Sequence, residues 1–233
     1  MGLGPTTTAS ELDSYIENQG RLRRLLAWVT DRMDTDPGHD VNHVKRVALW
    51  AVRLAADTVS PDELIAASLL HDIVNVPKSS PDRARASTLC ADEARLHLPS
   101  FEFSNAEVDT IADAIVTHSF SLGKTPTSTL GDALQDADRL EALGAIGVMR
   151  TFSTGARMGA RYFDARDPFG RSRSLDDRAL SIDHFFTKLL GLAETLRTER
   201  GRAEARKRTM FLHAFLQQLG DELGVPYEVV VKG

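Results

Sequence analysis

Four side chains in this 233-residue chain are of types that do chemistry together: His43, the adjacent pair His71 and Asp72, and Asp138. On a helix, His43 is followed by Val47 one turn on and Trp50 two turns on, so it leans toward the apolar face. Asp72 stands seven residues after Ile65 and three after Leu69, on the stripe those residues define. Asp138 continues Leu130 and Leu134 in the same manner. A carboxylate on an apolar stripe is costly to bury without a partner. Two imidazoles and two carboxylates on inward helix faces match a hard or borderline divalent cation with positions left for water. Each residue also has a plainer reading. An inward histidine can be a hydrogen-bonded core residue, and Asp138 can pair with Arg139 or Arg150. Taken together, separate polar groups on three apolar stripes ask for one explanation.

A cation in such a site retains Lewis acidity, brings the pKa of water toward neutrality and clamps a phosphoryl oxygen. Breaking a phosphoester or phosphoanhydride also needs cationic groups on the remaining oxygens. The chain offers Arg46 near His43, Lys78 in the turn after the HD pair, Arg139 beside Asp138, and Arg150. Lys45 is expected to face solvent. Arg46 and Arg139 also have a structural reading as ion-pair residues. His118 continues the Ile111–Ile115 stripe and has three readings: core residue, group near the substrate, or ligand of a second ion. Asp136 could orient ligands or accept a proton, and Asp40 is a helix N-cap or a neighbour of the site.

These residues must be carried by helices. Apolar spacing predicts helix from Glu11 to Met33 with an interruption at Gly20, from Asp40 to about Asp57, and from Pro61 to Asp72. The last has Ser60 as N-cap and Glu63 as the partner of a capping box. Further helices are expected from Arg83 to Leu96, from the Ser104–Glu107 capping box to about His118, from Leu130 to Met149 with glycine interruptions, and from Ser181 to Leu223 with a break near Gly201. Between Arg157 and Arg173 there are five arginines against two aspartates and no period, which reads as a solvated loop or as a cover that meets a polyphosphate. Only VPYEVVVK near the end resembles a strand. The fold class is all-α, with little or no sheet. Expected boundaries are a disordered tail over 1–9, a helical domain over 10–224 and a C-terminal tail over 225–233.

Composition narrows the class. Apolar residues make up 42% of the chain, enough for a substantial core, and the net charge of −5 argues against coating nucleic acid. A single cysteine, Cys90, excludes intramolecular disulfides and cysteine-rich zinc sites. No apolar run approaches the ~20 residues a membrane span needs. MGLGPTTTAS lacks the basic and apolar regions of a signal peptide, and its match to a myristoylation pattern is short; the expectation is a cytoplasmic protein.

The runs GHDVNHVKRVALWA, ASLLHDIVNVPK, IVTHS and LQDADRLEALGAIGVMRTF, followed by SIDHFFTKLLGLAETLRTERGRAEARKR, resemble the HD-domain metal-dependent phosphohydrolase superfamily, closest to small bacterial HD proteins assigned to nucleotide hydrolysis. The resemblance covers roughly Arg21 to Gly224. It implies an all-helical fold and ligation of one divalent ion by His43, His71, Asp72 and Asp138, with Mn, Mg, Co, Ni, Fe and Zn not distinguished. It places His118 at the site, so that Asp72, His118 and Asp136 are the candidate catalytic groups and Arg46, Lys78, Arg139 and Arg150 the candidate substrate ligands. Glu141 stands where the family often has aspartate. Asn75 stands where related sequences often carry an acid, and asparagine cannot act as a general base. The function implied is hydrolysis of a nucleotide or related small phosphate through metal-activated water, by a monomer or homodimer with no nucleic-acid or membrane partner. The alternatives are a nucleotide-binding module without turnover and a di-iron oxygenase.

Overall fold

The computed structural model describes residues 2–33, 40–76, 84–119 and 123–228. Every regular element among them is helical, as the apolar spacing predicts. The one β-feature is an isolated bridge between Arg161 and Leu180. By its contacts the chain divides into two compact units: residues 1–138 with 197–201, and residues 139–196 with 202–233.

The first unit contains α1 (Ala9–Asn18), α2 (Gly20–Thr30), α3 (Val41–Leu54), α4 (Pro61–Leu70), α5 (Ala86–His97), α6 (Asn105–Thr117) and most of α7 (Thr129–Leu140). Thr8 closes α1 with a full capping box through Glu11, and Gly20 opens α2 rather than interrupting a longer helix. Helix α4 is its hub, packing against α2, α3, α5 and α6. Eight of its ten residues are buried, including Leu64, Ile65, Leu69 and Leu70. A helix apolar all round is stable only when enclosed. Truncating Leu69 to alanine there removes about 2–5 kcal/mol of transfer and packing energy. Its first turn is tied down by Asp62, which accepts from Tyr15 Oη at 2.8 Å and Arg21 Nε at 2.7 Å. Arg21 reaches Glu107 of α6 at 2.9 Å with its other arm. The enclosed helix therefore delivers His71 and Asp72, just past its last residue, from a fixed platform.

The second unit holds α8 (Gly144–Arg157), α9 (Asp183–Thr187) and most of α10 (Glu199–Leu223). The interruption expected among the glycines of Leu130–Met149 occurs, with α7 ending at Leu140 and α8 opening at Gly144. Gly144 adopts φ +68°, and a Cβ at Gly147 would lie 2.2 Å from the carbonyl oxygen of Ala142, so both positions require glycine. Arg208 of α10 donates to Leu140 O at 2.7 Å, satisfying one of the carbonyls left open at the end of α7. The break expected at Gly201 does not occur; that glycine lies buried in the first turn of an uninterrupted α10. Phe185 stacks on Phe215 at 5.6 Å, with Phe152 6.0 Å from Phe215.

The arginine-rich segment is irregular but anchored. Arg173 forks onto Asp183 with bonds of 2.6 and 2.7 Å, and the buried carboxylate takes a third from Asp176 N–H at 2.7 Å. Asp167 accepts from the backbone of Ser172 and Arg171, which pulls its carboxyl down to about 2. Val225 to Glu228 belong to no regular element, and the remainder of the strand-like VPYEVVVK run lies outside the described residues.

Candidate metal centre

Helix α3 begins where Asp40 accepts from His43 N–H at 2.9 Å, which sets the register of the first turn. His43 then points inward and is fully buried. His71 continues α4 in helical conformation, and Asp72 follows it. Cys90 Sγ lies 3.4 Å from the amide of Val74 and holds the turn after the pair. Asp138 comes from α7 and His118 from the end of α6. All five belong to the first unit.

They converge. His43 Nε2 is 3.6 Å from Asp72 Oδ2 and 3.7 Å from Asp138 Oδ1; His71 Nε2 is 3.6 and 3.8 Å from the same oxygens. His118 Nε2 is 3.9 Å from the other oxygen of Asp72. The ring centres of His43 and His71 are 5.3 Å apart, and those of His71 and His118 5.0 Å.

The backbone fixes which nitrogen faces inward. His71 Nδ1 is 2.7 Å from Ser68 O, and His118 Nδ1 is 2.6 Å from Ile115 O. A carbonyl only accepts, so each Nδ1 carries a hydrogen and each Nε2 is turned toward the carboxylates. The buried Nε2 of His71 has no hydrogen-bond partner among the described residues. Its spacings to oxygen are too long for hydrogen bonds. Donors held at ~2.1 Å by one ion stand roughly 3.0–3.4 Å apart, so a small contraction brings these atoms onto a divalent cation. Two overlapping sets have suitable geometry: His43, His71 and Asp138, and His71, Asp72 and His118. Between them the two sets take in the four expected ligands and His118, and this mix of imidazole and carboxylate donors suits a divalent cation.

Electrostatics agree. Burial disfavours a charged His71, but the carboxylates of Asp72 and Asp138 overcome it and push the imidazole up to about 9. Burial likewise opposes ionisation of Asp72 and Asp138, yet the histidines hold both well below the usual carboxylate range. His118 is pushed down by burial and by the charge of His71. A protonated His71 thus stands against two ionised carboxylates, with His118 pushed toward its neutral form beside them.

The other expected residues are placed differently. Asp136 is not in the cluster. Its fully buried carboxylate accepts from Arg197 N–H at 2.9 and 3.0 Å and from Thr198 N–H and Oγ1, both at 2.7 Å. Thr198 Oγ1 in turn accepts from Gly201 N–H at 3.0 Å, so Asp136 secures the N-terminus of α10. These donors engage both of its oxygens with the backbone that opens α10. Arg46 is half-buried on α3 and lines a hollow with Asp40, Asn42 and Lys45. Lys45 does not simply face solvent, since it pairs with Asp13 at 2.7 Å. In the second unit, Arg139 donates to Thr195 O at 2.5 Å, and Arg150 lies 3.8 Å from the buried Glu141. Asn75 is exposed. Lys78 lies outside the described residues. A residue the sequence pattern did not single out is Gln135, buried on α7 and bonded to Thr117 O and Lys124 O.

The HD domain model matches residues 40–143, from the N-cap of α3 to the turn after α7. The chain is 31% identical over 210 residues to YpgQ of Bacillus subtilis (strain 168), covering 87% of this chain and 94% of that protein. The crystal structure of Bacillus subtilis YpgQ in complex with ADP superposes with a TM-score of 0.68 at 28% identity, over 87% of this chain and 94% of that one. An HD-superfamily hydrolase from Bacillus thuringiensis gives 0.65 at 27% identity, over 91% and 98%. The chain belongs to the HD domain family, whose fold supports metal-dependent phosphohydrolysis in general and whose members bind divalent metals. No helix among the described residues is long and apolar enough to cross a membrane.

Proposed function

We propose that the protein is a metal-dependent phosphohydrolase acting on a nucleotide or a closely related small phosphate, with its site in the helical domain over residues 10–224. The observation that carries this is the convergence of three imidazole Nε2 atoms on two ionised carboxylates, with the tautomers of His71 and His118 set by backbone carbonyls. The nucleotide comes from likeness: YpgQ, at 28% identity, crystallised with ADP.

His43, His71, Asp72 and Asp138 would hold one divalent ion. Such an ion supplies Lewis acidity and brings the pKa of water toward neutrality. Asp72 has a divided task. Its Oδ2 faces His43 and His71, while its Oδ1 faces His118. With Nδ1 donating to Ile115 and its pKa pushed down, His118 is neutral near pH 7 and its Nε2 can take a proton from the attacking water. Asp72 orients that imidazole and stabilises the charge it acquires. Arg46, from the helix that bears His43, and Lys78, six residues after Asp72, are the cationic groups proposed for the phosphate oxygens.

A second reading, nucleotide binding without turnover, has one observation in its favour: Asn75 occupies the position three residues after Asp72 and cannot move a proton. A panel of nucleoside mono-, di- and triphosphates assayed with Mn²⁺, Mg²⁺, Co²⁺ or Ni²⁺ separates the readings. Release of phosphate or pyrophosphate with one metal per chain supports the hydrolase. Saturable nucleotide binding without release supports the module, and two irons with no phosphate release point to oxygenase chemistry.

A further inference from the structure

We propose that Gln135 is a positioning residue, an amide clamp between α6 and α7 that sets where His118 stands; its catalytic consequence rests on the hydrolase reading above. His118 sits at the C-terminus of α6, where the last carbonyls have no partner within the helix. Three of them are taken by side chains. Ile115 O is bonded by the His118 ring at 2.6 Å, Val116 O by Ser87 Oγ at 3.2 Å, and Thr117 O by Gln135 Nε2 at 2.9 Å. Of these donors, Gln135 is the one that comes from α7, three residues before Asp138. Its second N–H reaches Lys124 O at 3.2 Å, on the far side of the connection between the two helices. Both acceptors are carbonyls, so the amide nitrogen must face them.

One buried amide thus joins the residue preceding His118, the returning loop and the helix that bears Asp138. Helix α7 lies close against the same connection. A Cβ at Gly131 would stand 2.9 Å from Pro126 Cβ and 3.6 Å from Thr117 Oγ1. Among the twenty side chains, glutamine meets the requirement well: neutral, long enough to span the gap, and bearing two hydrogens on one atom. Methionine has similar volume but no donor, and it would release the Thr117 and Lys124 carbonyls from the buried amide that ties them together. Relief comes from movement of the α6 terminus, and His118 moves with it. A displacement near 1 Å at a catalytic group costs up to about 10²-fold in rate.

The test is a double-mutant cycle of Gln135→Met and His118→Gln in metal-loaded protein. Gln135→Met should lower kcat roughly 10- to 100-fold, leave KM within about threefold and leave Mn²⁺ binding unchanged. In the His118→Gln background the same substitution should have no further effect, because the group it positions is gone. Equal losses in both backgrounds, or full kcat in the single variant, would overturn the proposal. If the methionine protein does not fold, Gln135→Asn, which keeps the donor but is one methylene short, is read by the same criteria. NMR decides the matter without turnover. The His118 Nδ1 proton should exchange at least about tenfold faster in Gln135→Met while that of His71 is unchanged. Equal protection of His118 in both proteins would dismiss the clamp, whereas absence of hydrolysis by the wild type with faster exchange in the variant would dismiss only the hydrolase reading.

Discussion

Replacing Asp136 by asparagine separates anchoring from chemistry. The carboxylate is fully buried and receives two backbone amides and one hydroxyl from Arg197 and Thr198. Asparagine keeps the shape but turns an NH₂ group toward these donors, so one oxygen must serve three hydrogens. A hydrogen bond to a charged group contributes about 1.5–3 kcal/mol, and a buried donor left unsatisfied costs about 1–3. One lost charge-assisted bond plus one orphaned amide gives a destabilisation of roughly 3–5 kcal/mol. At about 2–4 °C per kcal/mol for a protein of this size, the Tm should fall by ~6–20 °C. Scanning calorimetry on the metal-loaded protein measures this. Below the transition kcat should stay within about threefold of wild type, because the hydrogen bonds Asp136 accepts from Arg197 and Thr198 serve the start of α10. An unchanged Tm with a kcat loss of 10²-fold or more would refute the reasoning and return Asp136 to the reaction. Asp132→Asn serves as the control, since it loses only a partly exposed pair with Arg197 worth about 0–1 kcal/mol.

Removing the buried partner of Arg173 by Asp183→Ala should cost about 3–5 kcal/mol in chemical denaturation and leave metal affinity untouched, since a desolvated charge loses its fork. Between pH 7 and about 9 the logarithm of the metal-binding constant should rise by about one per pH unit and then level, because cation binding must displace the proton held by His71; calorimetric titration that finds affinity flat over this range would count against it. The metal-free protein should show the matching stability profile. His71 has a folded value raised above its ordinary one of 6.5, so its contribution is complete below about pH 6.5 and is lost as pH rises through about 9, which melts at stepped pH would reveal.

The candidate ligands were legible because an acid or imidazole in phase with an apolar stripe is an anomaly visible in one dimension. Ile65, Leu69 and Asp72 follow one face, and α4 is buried on all sides. Asp136 has the chemistry to orient ligands or accept a proton, yet the hydrogen bonds it accepts come from a segment some sixty residues away, which periodicity does not report. Gln135 escaped notice for a related reason. A neutral amide between Leu134 and Asp136 breaks no charge rule, and its partners are carbonyls that every residue possesses. Gly144 marks the expected interruption, while the reason that Gly147 must be glycine, a 2.2 Å approach to Ala142, is a contact only the fold supplies. Lys45 looked solvated because Asp13 lies on a different helix. Local pattern specified which faces turn inward; contacts distant in sequence decided which polar group answers which.

The most direct measurement is the metal content of purified, Mn²⁺-loaded wild type beside His71→Ala and Asp72→Ala, each with its helical circular dichroism retained. One ion per chain in the wild type and loss of most of it in both variants is the expected result, since each change removes a donor that faces the centre. Equal metal content in all three proteins would contradict the assignment of this cluster as a metal centre.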